Sequence, residues 1–291
     1  MGQIIFVVCR ESVEALLVIG ILYAWMNGRP GAEKGKVWLL AGVVAGFGLA
    51  GLLTLTLIGV TDILGGAGRD WFEIGMLTFA SALIVQMVMW MRAHGRTLKK
   101  ELEAGLEKST QASSWWGVFF LAMIAVGREG SETVMFLYGS LLQLDSFSSY
   151  VNFFIAAGIG FALAMVLFFL LQISGKIISW KWFFRVTETM LLFLGSALFL
   201  TAAGKLLGGP LAVTDLPSWV YSTVWDISAV LSDSSVFGGL LASLFAYRSQ
   251  PIGWDLIMLG IYWVLVFLTL KWQVRGHEQK KQNAQAVVEA G

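Results

Sequence analysis

The sequence predicts an all-α integral membrane protein of seven transmembrane helices, built as an inverted repeat of two three-helix units plus a C-terminal helix, with the N-terminus outside. Three observations predict it. The 291 residues are 57% hydrophobic and only 13% charged, with mean hydropathy +0.74, far too apolar for a soluble domain of this size. Apolar runs of roughly 20 residues, the length a bilayer core demands, recur along the whole chain. The charged stretch Arg10-Glu11-Ser12-Val13-Glu14 interrupts one such run, and Arg128, Glu129 and Glu132 repeat its R-E-x-x-E spacing inside another.

Taken in order, the spans are expected at about 4–26, 37–60, 72–91, 116–142, 150–173, 186–204 and 254–272. A turn containing Asn27, Gly28, Pro30 and Gly31 separates the first two. Residues 92–115 form a polar cytoplasmic linker in which Leu98, Leu102 and Leu106 are spaced by four, the pattern of a helix lying along the membrane surface. The chain therefore divides into a first repeat (1–91), the linker (92–115), a second repeat (116–204), an outer segment (205–253), the seventh span (254–273) and a cytoplasmic tail (274–291). Two short interfacial helices are expected in the outer segment, the second starting near Asp233 or Ser234.

Basic residues set the orientation. The first, third and fifth connections and the tail hold fifteen Lys and Arg outside the motifs, among them Arg29, Lys99, Lys181 and Lys280, whereas the other side holds only Arg69, Lys205 and Arg248. The positive-inside rule then places the N-terminus outside and the C-terminus in the cytoplasm of a multi-pass protein of the cell (plasma or inner) membrane. A formal charge of +1 gives no global field for nucleic acid. The single cysteine, Cys9, has no intrachain partner for a disulfide. Neither a cleaved signal peptide nor N-myristoylation is expected, because Arg10 breaks the first apolar run and Phe6 stands where Ser or Thr is needed.

The two halves resemble each other beyond the charged motif. Gly46-Phe47-Gly48-Leu49-Ala50 matches Gly160-Phe161-Ala162-Leu163-Ala164, and Glu73 precedes Ser81-Ala82-Leu83 by the same interval at which Glu188 precedes Ser196-Ala197-Leu198. A three-span unit repeated in tandem crosses the membrane in the opposite sense the second time, so spans one and four run antiparallel with both motifs near mid-bilayer. Gly42, Gly46, Ala156 and Gly160 would let the second and fifth spans approach their neighbours closely.

A charged side chain at the centre of a spanning helix costs ~3 kcal/mol, so six of them would cost on the order of 18 kcal/mol if uncompensated. Residues three or four apart share a helix face, which puts Glu11 with Glu14 and Glu129 with Glu132. Four carboxylates against two guanidinium groups form a site for a hard cation bound through oxygen; ferric iron, calcium, magnesium and manganese all qualify. The structural alternative is that Arg10 and Arg128 merely pair with these acids across a helix interface. Glu73, preceded by Asp62 and Asp70 near the outer end of span three, reads either as part of an acidic entrance or as an interface carboxylate in water. Glu188 is expected to pair locally with Arg185, and Met87 and Met91 to fill space. His94 and His277 lie in polar flanks, which argues against a di-iron carboxylate oxidase, and no hydrolase or phosphate-loop motif occurs, so an enzyme is not expected.

Seven spans, an outside N-terminus and R-E-x-x-E in spans one and four resemble the FTR1-type high-affinity iron permeases, above all their compact bacterial branch. The resemblance extends to Phe72-Glu73 and to Asp226-Ile227-Ser228-Ala229-Val230-Leu231-Ser232 with Phe237-Gly238. It implies uptake of ferric iron (Fe3+) as transported substrate rather than cofactor, with Glu11, Glu14, Glu129 and Glu132 as ligands and Arg10 and Arg128 as their supports. It also implies a separate partner at the outer face, either a ferroxidase or a periplasmic iron-delivery protein. The alternatives are a transporter of another cation such as Mn2+ or Pb2+, and a metal-binding membrane sensor or scaffold that does not transport.

Overall fold

The computed structural model describes residues 1–27, 33–94, 115–141, 144, 146–173, 180–212 and 214–289. They form α1 (Gly2–Asn27), α2 (Glu33–Leu64), α3 (Gly66–His94), α4 (Trp116–Leu141), α5 (Phe147–Ile173), α6 (Trp180–Gly208), a one-turn 3-10 helix (Ser218–Val220), α7 (Val236–Phe245) and α8 (Gly253–Glu289). Five of these are long and apolar enough to cross a membrane: α2, α3, α5, α6 and the first 21 residues of α8. At 26 residues each, α1 and α4 are about 39 Å long by helical rise. Their apolar character is broken by the three charges of each motif. The outward faces of α2 and α5 are lined with exposed Leu40, Val44, Phe47, Leu55, Phe154, Phe161 and Phe169, a surface suited to lipid rather than water.

Several helices outrun the apolar runs that announce them. α3 reaches His94, α6 starts at Trp180, and α8 continues to Glu289, beyond the apolar span that ends at Gln273. Hydropathy marks where lipid ends, whereas a helix persists as long as its backbone bonds and good helix formers persist; Arg275, Glu278, Gln279, Lys280 and Lys281 are such residues. The linker helix expected around Leu98–Leu106 lies outside the described residues.

The directions of packing follow from which residues meet. Along α1 and α4, Gln3 donates to the Phe136 carbonyl at 3.2 Å, and Met26 packs near Val118 and Ala122, so the two helices run antiparallel. Along α3 and α6, Ser81 donates to the Gly195 carbonyl at 2.8 Å, Glu73 meets Lys205 and Arg92 meets Glu188, again antiparallel. By contrast, α2 runs alongside α4 in parallel, and α5 runs alongside α1 in parallel. In the first of these contacts a Cβ on Gly46 would lie 2.8 Å from Val126 Cβ and 3.0 Å from the Met123 carbonyl. In the second, a Cβ on Gly160 would lie 3.1 Å from Val8 Cβ and 2.7 Å from the Ile5 carbonyl. Shifted by the spacing of the two charged motifs, Ile5 and Val8 become Met123 and Val126, so the same pair of neighbours receives the glycine in each half.

Backbone lies against backbone at both crossings, and neither neighbour can yield as a flexible side chain would. Gly46→Ala and Gly160→Ala should each destabilise the protein by about 1–3 kcal/mol. Gly48→Ala, with nothing within 4 Å of its Cβ, should be neutral in the same thermal-unfolding series in detergent.

Of two interfacial helices expected in the outer segment, one is longer than a single turn. α7 starts two or three residues later than expected, with Ser235 as N-cap: its hydroxyl accepts from the Gly238 N–H at 3.0 Å. The aspartates nearby are structural. Asp233 accepts from the Ser249 N–H at 2.9 Å, and Asp226 accepts from the Ser228 N–H at 2.9 Å, the Ser228 hydroxyl at 2.6 Å and the Gln250 amide at 2.9 Å. These donors hold the Asp226 carboxyl below the usual carboxylate range.

Candidate metal site between two antiparallel helices

Antiparallel crossing of α1 and α4 brings the two motifs together. Arg10 Nη1 donates to both Glu11 carboxylate oxygens at 2.7 Å, and its Nη2 lies 2.6 Å from Glu14 Oε1. Arg10 and Glu11 are each only 2% exposed. On α4, Arg128 Nε donates to Glu132 Oε1 at 2.9 Å and stands 3.9 Å from Glu129 Oε1. One oxygen from each of Glu11, Glu14 and Glu129 falls within 4.8 Å of the others.

Three oxygens of this set have no hydrogen-bond donor. Glu14 Oε1, Glu129 Oε2 and Glu132 Oε2 are buried and lack a hydrogen bond; Glu14 Oε1 touches Arg10 as an ion pair without hydrogen-bond alignment. Buried carboxylate oxygens in that condition are costly, and four acids against two guanidinium groups leave two negative charges unbalanced when all are ionised. An oxygen-only, negatively charged cradle matches a hard metal ion.

The two copies of the motif are not equivalent in their surroundings. Arg10 is sealed, and its Nη2 also meets the Met91 sulfur at 3.1 Å. Arg128 is 38% exposed, with its guanidinium 4.4 Å from the centre of the Trp90 ring. Met91 therefore does more than fill space, whereas Met87 is buried in the main apolar core. Neither Trp90 nor Met91 could be assigned from sequence, because an apolar helix offers many aromatic and sulfur side chains and only the packing selects which ones face the arginines. Cys9 is half-buried against the apolar cluster around Val13, Ala164 and Leu171, as expected of a small core residue.

Glu73 does not join the four acids. Its oxygens accept from Arg69 Nε at 3.0 Å and from Lys205 Nζ at 2.7 Å, so in place of the open acidic entrance considered for it the carboxylate is held between two cations. Antiparallel α6 delivers Lys205 to that position, which helix-local spacing could not reveal. Glu188 is corrected in the same way: it pairs with Arg92 of α3 at 3.2 Å, not with Arg185 of its own helix.

On the side of the site toward the start of α1 lies a cavity of about 230 Å³ whose walls include Gln3, Ser140, Thr201, Ser243 of α7 and Arg248. Gln3 and Glu11 are about 12 Å apart along α1 by helical rise. In that interval Ile4 and Val7 pack with Leu77, Ile84 and Phe136 in the main apolar core.

Compared with known proteins, residues 1–276 match the model of the iron permease FTR1 family. The ferrous iron permease EfeU of Escherichia coli O157:H7 is 29% identical over 252 residues, covering 84% of this chain and 86% of that protein. Its namesake in Shigella sonnei has the same identity and coverage. That of Shigella flexneri is 32% identical over 189 residues, 63% of this chain and 75% of the other. No solved structure matches.

Proposed function

Since the chain belongs to the iron permease FTR1 family, a multi-pass membrane family that moves iron, we propose that it takes up ferric iron through the site between α1 and α4. The observation that carries this is the trio of buried carboxylate oxygens without hydrogen bonds on Glu14, Glu129 and Glu132. Glu11, Glu14, Glu129 and Glu132 supply oxygen to the ion. Arg10 and Arg128 limit the net negative charge of the four acids to a value one metal ion offsets.

The transport path follows from topology. α1 and α4 join the five apolar helices as spans, making seven, with the N-terminus outside and the halves related by a pseudo-two-fold axis in the membrane plane. Matching glycine contacts at Gly46 and Gly160 and the antiparallel α1–α4 and α3–α6 pairs support that layout. In this orientation the cavity near Gln3 faces outward, and Ile4, Val7 and Phe136 close the route beneath it. The exposed edge at Arg128 faces the cytoplasm. Rocking of one repeat against the other would open the apolar layer. Iron is handed over by a separate partner at the outer face of the cell membrane, a ferroxidase or a periplasmic iron-delivery protein.

A second reading, ferrous iron as the ion admitted, is favoured by the relatives being ferrous iron permeases. Purified protein in liposomes with an internal chelator decides between them: radio-iron is offered as ferric citrate or as ferrous iron kept reduced with ascorbate. Ferric accumulation is expected. Ferrous-only accumulation overturns the oxidation state, and accumulation of Mn2+ or Pb2+ in place of iron overturns the substrate. Iron bound but never accumulated points to a non-transporting sensor or scaffold.

A further inference from the structure

Among the residues that wall the cavity at the start of α1, only Arg248 carries a charge. This guanidinium is half-buried and has neither an ion pair nor a hydrogen bond among the described residues. Three acids of the outer side have other partners. Asp233 accepts from the Ser249 N–H, and Asp226 from Ser228 and the Gln250 amide. Glu73 lies one helical turn outward from Leu77 of the cavity wall and is held by Arg69 and Lys205. Most of the other polar walls are committed as donors: Gln3 to the Phe136 carbonyl at 3.2 Å, Thr201 to that of Ala197 at 2.8 Å and Ser243 to that of Leu240 at 3.1 Å. Arg248 and the Ser140 hydroxyl, which has no hydrogen bond among the described residues, are left to hold a ligand.

We infer that this cavity is an anion site for a small polycarboxylate such as citrate, which it holds while the metal that came with it goes on to the four acids. The delivery half of this inference rests on the permeation reading above. Charge separates the two stations: Arg248 repels a bare ferric ion, and the four acids, about 12 Å deeper along α1, repel an anion. Hard ferric iron binds oxygen anions, and its complexes with several carboxylates are negative, so the outer cavity attracts the complex and the deeper site attracts only the metal. The planar fork of Arg248 matches a carboxylate through two parallel N–H···O bonds. A volume of about 230 Å³ admits a small acid and not a folded partner.

Isothermal titration calorimetry of iron-free citrate into the full chain, purified in detergent, tests the site without the metal. Saturable binding is expected, weakened about 10-fold or more in Arg248→Gln by loss of the charge-assisted hydrogen bonds. Ala242→Leu, which narrows the cavity and leaves its charge alone, should weaken citrate as well. In liposomes, Arg248→Gln should raise the KM for ferric citrate by a similar factor at an unchanged maximal rate. No binding by the wild type, or binding unchanged in either variant, overturns the inference; if Arg248→Gln does not fold, Ala242→Leu decides alone. Phosphate bound more tightly than citrate overturns the choice of ligand. Citrate binding that disappears when anionic phosphatidylglycerol is added overturns it too, because a lipid headgroup then fills the cavity. Citrate bound as expected by a protein that moves no iron supports the anion site and sinks only the permeation reading.

Discussion

Glu129→Gln should reduce iron uptake by about 100-fold, the order of effect that follows from removing one charged member of a buried polar cluster. The same substitution should make the ion-free protein more stable. Glu129 is buried, one of its oxygens has no hydrogen bond, and the other lies 3.9 Å from the nearest guanidinium nitrogen, the loosest ion pair in the motifs. An amide there removes a like charge from beside Glu11 and Glu14 and offers its N–H to an oxygen that has no donor. Each kcal/mol so gained would raise the melting temperature by about 2–4 °C. Iron should raise the melting temperature of the wild type, by an amount corresponding to ~2.7 kcal/mol at 100 times the dissociation constant, and should leave Glu129→Gln unmoved. Thermal unfolding in detergent with and without ferric citrate, alongside uptake, reads both effects. A variant that is both less stable and fully active would show that the carboxylate serves packing and not the ion.

Arg10→Ala and Arg128→Ala should differ sharply although the two residues hold matching places in the repeated motif. Removing Arg10 strands Glu11 and Glu14 in the protein interior, and breaking a buried pair in this way costs about 3–5 kcal/mol. Against a total stability of about 5–15 kcal/mol, the folded yield should fall steeply. Arg128 is 38% exposed and its partners Glu129 and Glu132 are less tightly held, so its loss should cost clearly less than that of Arg10. Folded yield by size exclusion in detergent separates the two. Arg10→Lys should rescue only in part, because an ammonium lacks the fork that serves Glu11 and Glu14 at once. Equal losses for both arginines would mean that the two halves are sealed alike and that no exposed edge exists at Arg128.

Much of the site was legible before any coordinates. Arg10, Glu11 and Glu14 are conspicuous because a charge in a spanning apolar run demands a partner, and the recurrence at Arg128, Glu129 and Glu132 names that partner. Periodicity also told which acids share a face. The expected close contacts at Gly42, Gly46 and Gly160 followed from small residues spaced by four. What the sequence missed were the partners of Glu73, which it read as an acidic entrance or a carboxylate in water, and of Glu188, which it paired with Arg185 of its own helix.

Sequence alone thus determined that six charges sit inside apolar helices and that they come in two matching triplets, since composition and spacing are properties of the chain and the cost of burying charge is set by the solvent. Only tertiary structure decided that Lys205 balances Glu73, that Arg92 holds Glu188, and that Met91 and Trp90 attend different arginines. Those contacts depend on the rotation and register with which α3 meets α6 and the α1–α4 pair, and packing of whole helix faces sets both.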